Sequence, residues 1–226
     1  MKSPGCMLLY HLKKFLYLVV LFGFSPVHAG SYYDFFEAIQ QDNAAQVTRL
    51  LQRGFDPNTV DPAGIPGLLL AVKLDSLKVA EALIRWPQTN AEVRNAAGES
   101  PLMLAALAGN ERLCRMLIEK NADVNKPGWT PLHYAATKGH LAVMTMLLGE
   151  YAYIDAASPN GSTPLMMAAH YGTPQAVKLL LEAGADPMLK NDLGLNALDF
   201  AHKANREESA QIISAFVRAS HSRGTW

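Results

Sequence analysis

This sequence is poor in the features that most directly announce a function. It has two cysteines in 226 residues, Cys6 and Cys114, so a disulfide framework is excluded. Lysine plus arginine and aspartate plus glutamate both number 20, so the chain lacks the basic field that nucleic-acid binding requires. Its longest apolar run, Phe15 to Phe24, has ten residues. A membrane-spanning helix needs roughly 20. There is no nucleophile elbow, no phosphate-binding glycine loop and no zinc spacing of cysteine and histidine. No catalytic residue, metal site or cofactor is therefore assigned, and the chain is expected not to be an enzyme.

What is present begins at the N-terminus. Lys2, Lys13 and Lys14 precede the apolar run, and Val27-His28-Ala29 offers the residues a signal peptidase prefers at the minus-three and minus-one positions. This predicts a signal peptide over residues 1–29, cleaved before Gly30. Leu8, Leu9 and Leu12 extend the apolar character upstream, so an uncleaved N-terminal anchor is the competing reading. Cleavage would leave 17 basic and 20 acidic side chains, a net charge of −3. Cys114 would be the sole thiol, expected to be buried and inert because reactive cysteines need an exposed, electropositive setting. An exported chain without disulfides points to the periplasm, with secretion as the alternative.

The rest is periodic. Alanines recur at Ala38, Ala71, Ala105, Ala135, Ala168 and Ala201, at intervals of 33, 34, 30, 33 and 33 residues. Twelve residues after each stands Leu50, Leu83, Leu117, Leu147, Leu180 or Ile213, and nine after each stands Val47, Ala80, Cys114, Met144, Val177 or Ala210. Constant internal spacing with variable intervals predicts two helices and a turn of fixed length, joined by a connector that absorbs all length change. The stretch Gly128-Trp129-Thr130-Pro131-Leu132-His133-Tyr134-Ala135-Ala136 is the clearest copy. Thr130 suits an N-cap, and Pro131 the first helical position, where its missing N–H costs nothing. Copies at Gly98 to Ala106 and Gly161 to Ala169 are nearly as good, those at Gly64 to Val72 and Gly194 to His202 are eroded, and the first, around Asp34 to Ile39, is the weakest.

These motifs resemble the ankyrin repeat, whose period of about 33 residues is the same. The resemblance implies an all-α ankyrin repeat solenoid of five to six helix-turn-helix repeats with short hairpin connectors. It covers 30–218, with repeats at about 31–60, 61–94, 95–125, 126–157, 158–190 and 191–218. Tyr32, Tyr33, Phe35 and Phe36 suit an N-terminal cap and the polar closing helix a C-terminal cap. Residues 219–226 are expected to be a frayed tail. Asn121 should adopt the left-handed conformation of the usual glycine, and Tyr151 in that slot should be strained or rearranged. Three residues are missing before Trp129, which should notch the row of fingers, with Pro127-Gly128 in a type II turn.

In similar proteins a partner is held by the residue after the finger glycine and the two residues after the paired alanines. Here the finger positions are Ile65, Glu99, Trp129, Ser162 and Leu195. The helix positions are Lys73, Leu74, Leu107, Ala108, Thr137, Lys138, His170, Tyr171, Lys203 and Ala204. Leu74, Leu107, Trp129, Tyr171 and Leu195 make a discontinuous apolar series, and exposed apolar patches mark partner sites. With Lys138 and His170 they form the candidate partner-binding set, although Trp129 could instead pack on Pro127 and the next repeat. The expected function is non-enzymatic binding of one protein by a monomer, through the fingers and concave helix face, without nucleic acid or membrane after cleavage. A toxin-blocking immunity protein is the alternative within binding. From a different class, Met166 and His170, four apart, suggest a periplasmic metal-handling protein, since thioether and imidazole suit Cu(I).

Overall fold

The computed structural model describes residues 26–223, with side chains from 30 to 220. The expected signal peptide lies outside the described residues except for its last four, which open the first helix. Six helix-turn-helix pairs follow in order. They are α1 (Pro26–Gln40) with α2 (Ala44–Gln52), α3 (Gly67–Lys73) with α4 (Leu77–Arg85), and α5 (Pro101–Ala108) with α6 (Glu111–Glu119). Then come α7 (Pro131–Lys138) with α8 (Leu141–Gly149), α9 (Pro164–Tyr171) with α10 (Pro174–Glu182), and α11 (Ala197–Lys203) with α12 (Glu207–Arg223). The first helices contact one another in an unbroken row from α1 to α11, and the second helices do so from α2 to α12. This is the expected solenoid. Among the described residues the only extended pairing is an isolated bridge between Val60 and Pro66.

In repeats three to six the first helix begins where its sequence says it should. Ser100, Thr163 and Asn196 accept from the backbone N–H three residues on, and Pro101, Pro131 and Pro164 hold the first helical position. At the far end Gly109 and Gly139 adopt φ of 72° and 71°, which glycine reaches without steric cost. Helices this short are not stable alone, so packing must hold them. The alanines of the register are buried without exception, from Ala38 at 2% exposed to Ala135 and Ala201 at 0%. The slots nine and twelve residues later are buried too, so two layers share one continuous core. Tyr32, Phe35, Phe36 and Phe55 close its N-terminal end as a cluster of ring contacts, and the Tyr32 hydroxyl donates to the Val60 carbonyl at 3.0 Å.

The connectors show how the fingers close. Four of the five have the same turn. Asp61, Asn95, Ser158 and Asn191 each donate their N–H to the carbonyl four residues on, and accept at their own carbonyl from the glycine three residues on. The fifth, before Trp129, is missing those residues and has no such turn, although Gly128 takes the positive φ of 91° that a Pro-Gly turn calls for. Below the fingers a ladder joins neighbouring connectors. Asn58, Asn125 and Asp155 accept from the N–H groups of Asn90, Tyr153 and Asp186 respectively.

The second helices end as the sequence suggests, with one variation. Gly54, Asn121, Tyr151 and Gly184 are all left-handed, Tyr151 at φ 62° with its ring 84% exposed. At Trp86 the chain leaves in an extended conformation instead, and Lys120 of the next repeat donates to the Trp86 and Pro87 carbonyls at 2.7 and 3.2 Å. Of the tail expected from residue 219, residues 224–226 lie outside the described residues. Helix α12 continues to Arg223, carried by Ile212, Phe216 and Val217 against the core.

Gly172 tests the closeness of the stack. Its φ is an ordinary −81°, but a Cβ there would collide with the Ala136 carbonyl and lie 2.9 Å from Cα of Ala168. Glycine is dictated by the approach of α9 to α7. Gly172→Ala and Ala135→Leu should each destabilise the fold by about 1–3 kcal/mol through overpacking. Urea unfolding measures this, and midpoints equal to wild type would refute the packing register.

Candidate functional site

The open surface of the first helices is lined by one residue from each of repeats two to six. Leu70, Leu104, Tyr134, Met167 and Phe200 each immediately precede the register alanine, and all five are half-buried. They form a stripe beneath the positions expected to bind a partner. Beside it Leu107, Trp129, His133, Tyr134, Thr137 and Met167 line a shallow cavity of about 200 Å³, next to the shortened finger. The structure therefore brings Leu107 and Trp129 into one site. Trp129 is half-buried and meets the His133 ring edge-on at 5.2 Å, so it packs on its own repeat while keeping one side in the groove.

The other predicted residues are more dispersed. Tyr171 is 54% exposed and Leu74 47% exposed, both near the ends of their first helices. Lys138 is exposed at the same slot. Leu195 is half-buried, and its carbonyl closes the last finger by accepting from Asn191 N–H at 3.0 Å. His170 is drawn inward. Its Nδ1–H donates to the Phe200 carbonyl at 3.2 Å, and its ring stacks edge-on against Tyr171 at 4.2 Å. Of the predicted set, Leu107, Trp129, Lys138 and Tyr171 present surface near the middle of the row, while His170 mainly joins repeats.

His133 is the most constrained polar group at the site. It is 1% exposed, and its Nε2 lies 2.9 Å from the Ser162 carbonyl. A carbonyl can only accept, so Nε2 carries the proton and Nδ1 is the acceptor, facing the Thr130 N–H at 3.2 Å and the Thr130 hydroxyl at 2.9 Å. One neutral imidazole thus caps α7 and ties it to the next repeat. Burial lowers its pKa from 6.5 to about 4. Tyr134, one residue on, donates its hydroxyl to Glu99 at 3.1 Å, joining finger to helix. Burial, then the Glu99 charge, push its pKa up to about 12.

The charges are sorted by face. The ion pairs among the described residues join Glu81 to Arg85 and Arg112, Glu111 to Arg115, and Lys178 to Glu182 on second helices, and Glu92 to Arg94 in a connector. Lys73, Lys138 and Lys203, at the exposed ends of three first helices, have no ion pair there.

The metal reading does not survive the geometry. Met166 is 1% exposed, and its sulfur faces the Thr163 N–H at 3.4 Å as a helix cap, while His170 turns to Phe200. The two side chains serve separate structural bonds. Cys114 is fully buried, and burial raises its thiol pKa to about 12, as expected of an inert cysteine.

The class is thus a helical repeat scaffold that offers a long, partly apolar face. Family models described as ankyrin repeats match residues 35–127, 68–158 and 153–201, and the chain belongs to the ankyrin repeat family. It is 30% identical over 194 residues to the ankyrin repeat protein YahD of Escherichia coli (strain K12), covering 80% of this chain and 94% of that one. It is 33% identical over 181 residues to SH3 and multiple ankyrin repeat domains protein 2 of Homo sapiens, covering 77% of this chain but 10% of that protein. Likewise it spans 19% of the tyrosine-protein kinase Shark of Drosophila melanogaster. Among solved structures it is similar to a chain of the complex described as the Bd0816 predatory endopeptidase from Bdellovibrio bacteriovorus with immunity protein Bd3460. The TM-score is 0.69 at 30% identity, covering 80% of this chain and 97% of that one. It also matches EF0377, an ankyrin repeat protein, with a TM-score of 0.70 at 28% identity, covering 80% and 96%.

The capping role of His133 sets a pH dependence. Its folded pKa is depressed, so the unfolded chain takes up a proton first as pH falls, and stability is lost from pH 6.5 down to about 4. The expected loss is about 3 kcal/mol. Met103 and Met166 fill the same slot in neighbouring repeats, so His133→Met should keep the cap and flatten this part of the pH profile of urea unfolding. A variant profile as steep as wild type would contradict the assignment.

Proposed function

We propose that the chain is an exported, non-enzymatic, monomeric binding module that holds another protein against its first-helix face and fingers. The observation that carries this reading is the groove of Leu107, Trp129, Tyr134, Thr137 and Met167 beside the shortened finger. Apolar surface that a fold leaves open beside a tryptophan and tyrosines has the composition of an interface centre. Lys73, Lys138 and Lys203, exposed at the ends of three first helices and in no ion pair among the described residues, favour a partner that brings carboxylates. Export rests on the N-terminal pattern of residues 1–29.

The likeness to a chain of the endopeptidase and immunity-protein complex supports a narrower form of this reading. In that form the chain is an immunity protein that blocks a toxin. The role is stoichiometric masking, which needs only affinity and a rigid face.

The test is a pull-down from the native cell envelope with wild type and with Trp129→Ala, Tyr171→Ala. Both side chains lie outside the core, so the double variant should unfold at the wild-type temperature. One dominant partner, held by wild type and lost by the variant, is expected. Equal recovery of that partner by both proteins would overturn the assigned face. N-terminal sequencing of the envelope form should read from Gly30, and a product beginning at Met1 would contradict cleavage.

A further inference from the structure

A second set of exposed apolar side chains lies on the connectors, and none of them lines the groove at Trp129. Loops 151–161 and 184–194 run side by side, because the Asp155 carboxylate accepts from Asp186 N–H at 3.2 Å and the Asn160 carbonyl accepts from Asp192 N–H at 3.1 Å. Of ten large apolar side chains exposed among the described residues, five lie on these two loops. They are Tyr151 at 84%, Tyr153 at 69%, Met188 at 47%, Leu189 at 38% and Leu193 at 76%. That concentration is not what single, scattered surface hydrophobics look like.

Tyr151 adds an independent sign. It holds the left-handed slot that Gly54, Asn121 and Gly184 fill elsewhere. A bulky residue there costs about 1–2 kcal/mol, and its ring, in solvent, contributes nothing to the core that would offset this. Asn125 secures the strained segment from the neighbouring repeat, donating to the Tyr151 carbonyl and accepting from Tyr153 N–H, both at 2.7 Å. Strain kept at a position whose side chain does not serve the fold points to use of that side chain elsewhere.

The charges around the patch select its occupant. Glu150 and Asp192 are exposed and Asp155 and Asp186 half-buried, none of them in an ion pair among the described residues. Lys190 is the one cation within the two loops. We propose that this loop pair is a second docking surface, for a cationic, amphipathic protein segment. Its lysines or arginines would meet the carboxylates and the tyrosine faces, and its aliphatic side chains would cover Met188, Leu189 and Leu193. An anionic membrane is disfavoured by the same carboxylates. The surface is opposite in charge to the lysine-edged first-helix face, so one chain could hold two different partners at once.

The test uses the full chain and a fluorescent synthetic peptide of alternating lysine and leucine, read by anisotropy. The wild type should bind it, weakening as salt rises. Tyr153→Ser, Leu193→Ser should lose affinity by about tenfold or more, whereas Trp129→Ala should bind like wild type. Tyr151→Gly removes the ring while relieving the backbone, so it should lose affinity yet unfold at a higher temperature, which separates docking from folding. A glutamate and leucine peptide should not compete. Absence of binding, equal binding by the loop variant, or competition by the acidic peptide would overturn the proposal. So would tighter, loop-dependent binding to phosphatidylglycerol vesicles than to the peptide. Because Trp129→Ala reports on the other face, failure here leaves the first-helix reading separately testable.

Discussion

Helices of seven to nine residues, such as α3 and α4, do not persist in water by themselves, so this chain depends on how closely neighbouring repeats can approach. The paired alanines and Gly172 set that distance. With small side chains at the contact, α7 and α9 come near enough for His133 to reach the Ser162 carbonyl, and for a Cβ at Gly172 to be impossible. Once the spacing is fixed, the second helices fall into register and one apolar core runs through all six units. Three histidines reinforce it by donating a ring N–H to a carbonyl across a repeat boundary: His133 to Ser162, His140 to Leu107 and His170 to Phe200.

The same spacing produces the surface that matters for function. A solenoid contacts only neighbours, so one face of every first helix stays open, and whatever residues stand there are free to serve a partner. Here one finger is cut short and its groove is apolar. Among the described residues the ion pairs are confined to the second helices and one connector, which leaves the lysines of the open face available. The loop pair around Tyr151 and Leu193 differs in sign as well as position, which is why its occupant is expected to differ too.

The register was legible in the sequence because small residues, capping threonines and prolines recur at fixed offsets, and each has a local steric reason to be where it is. The shortened connector was legible for the same reason. The stripe of Leu70, Leu104, Tyr134, Met167 and Phe200 was missed, although a large apolar or aromatic residue before each register alanine from Ala71 on was there to be read. Helix α5 shows why: Pro-Leu-Met-Leu-Ala-Ala-Leu-Ala is apolar on every side, so periodicity cannot distinguish its inner face from its open one. His170 looked like a free ligand because sequence spacing says nothing of the Phe200 carbonyl thirty residues on.

The central claim is that a protein partner docks on the open face of the first helices at the shortened finger. Amide hydrogen exchange on the chain alone and with its captured partner measures this most directly, since exchange slows where a surface is covered. The account predicts added protection across 104–108, 129–138 and 167–171, with α6 and α8 unchanged. Protection confined to the second helices, with the groove residues exchanging as in the free chain, would contradict it.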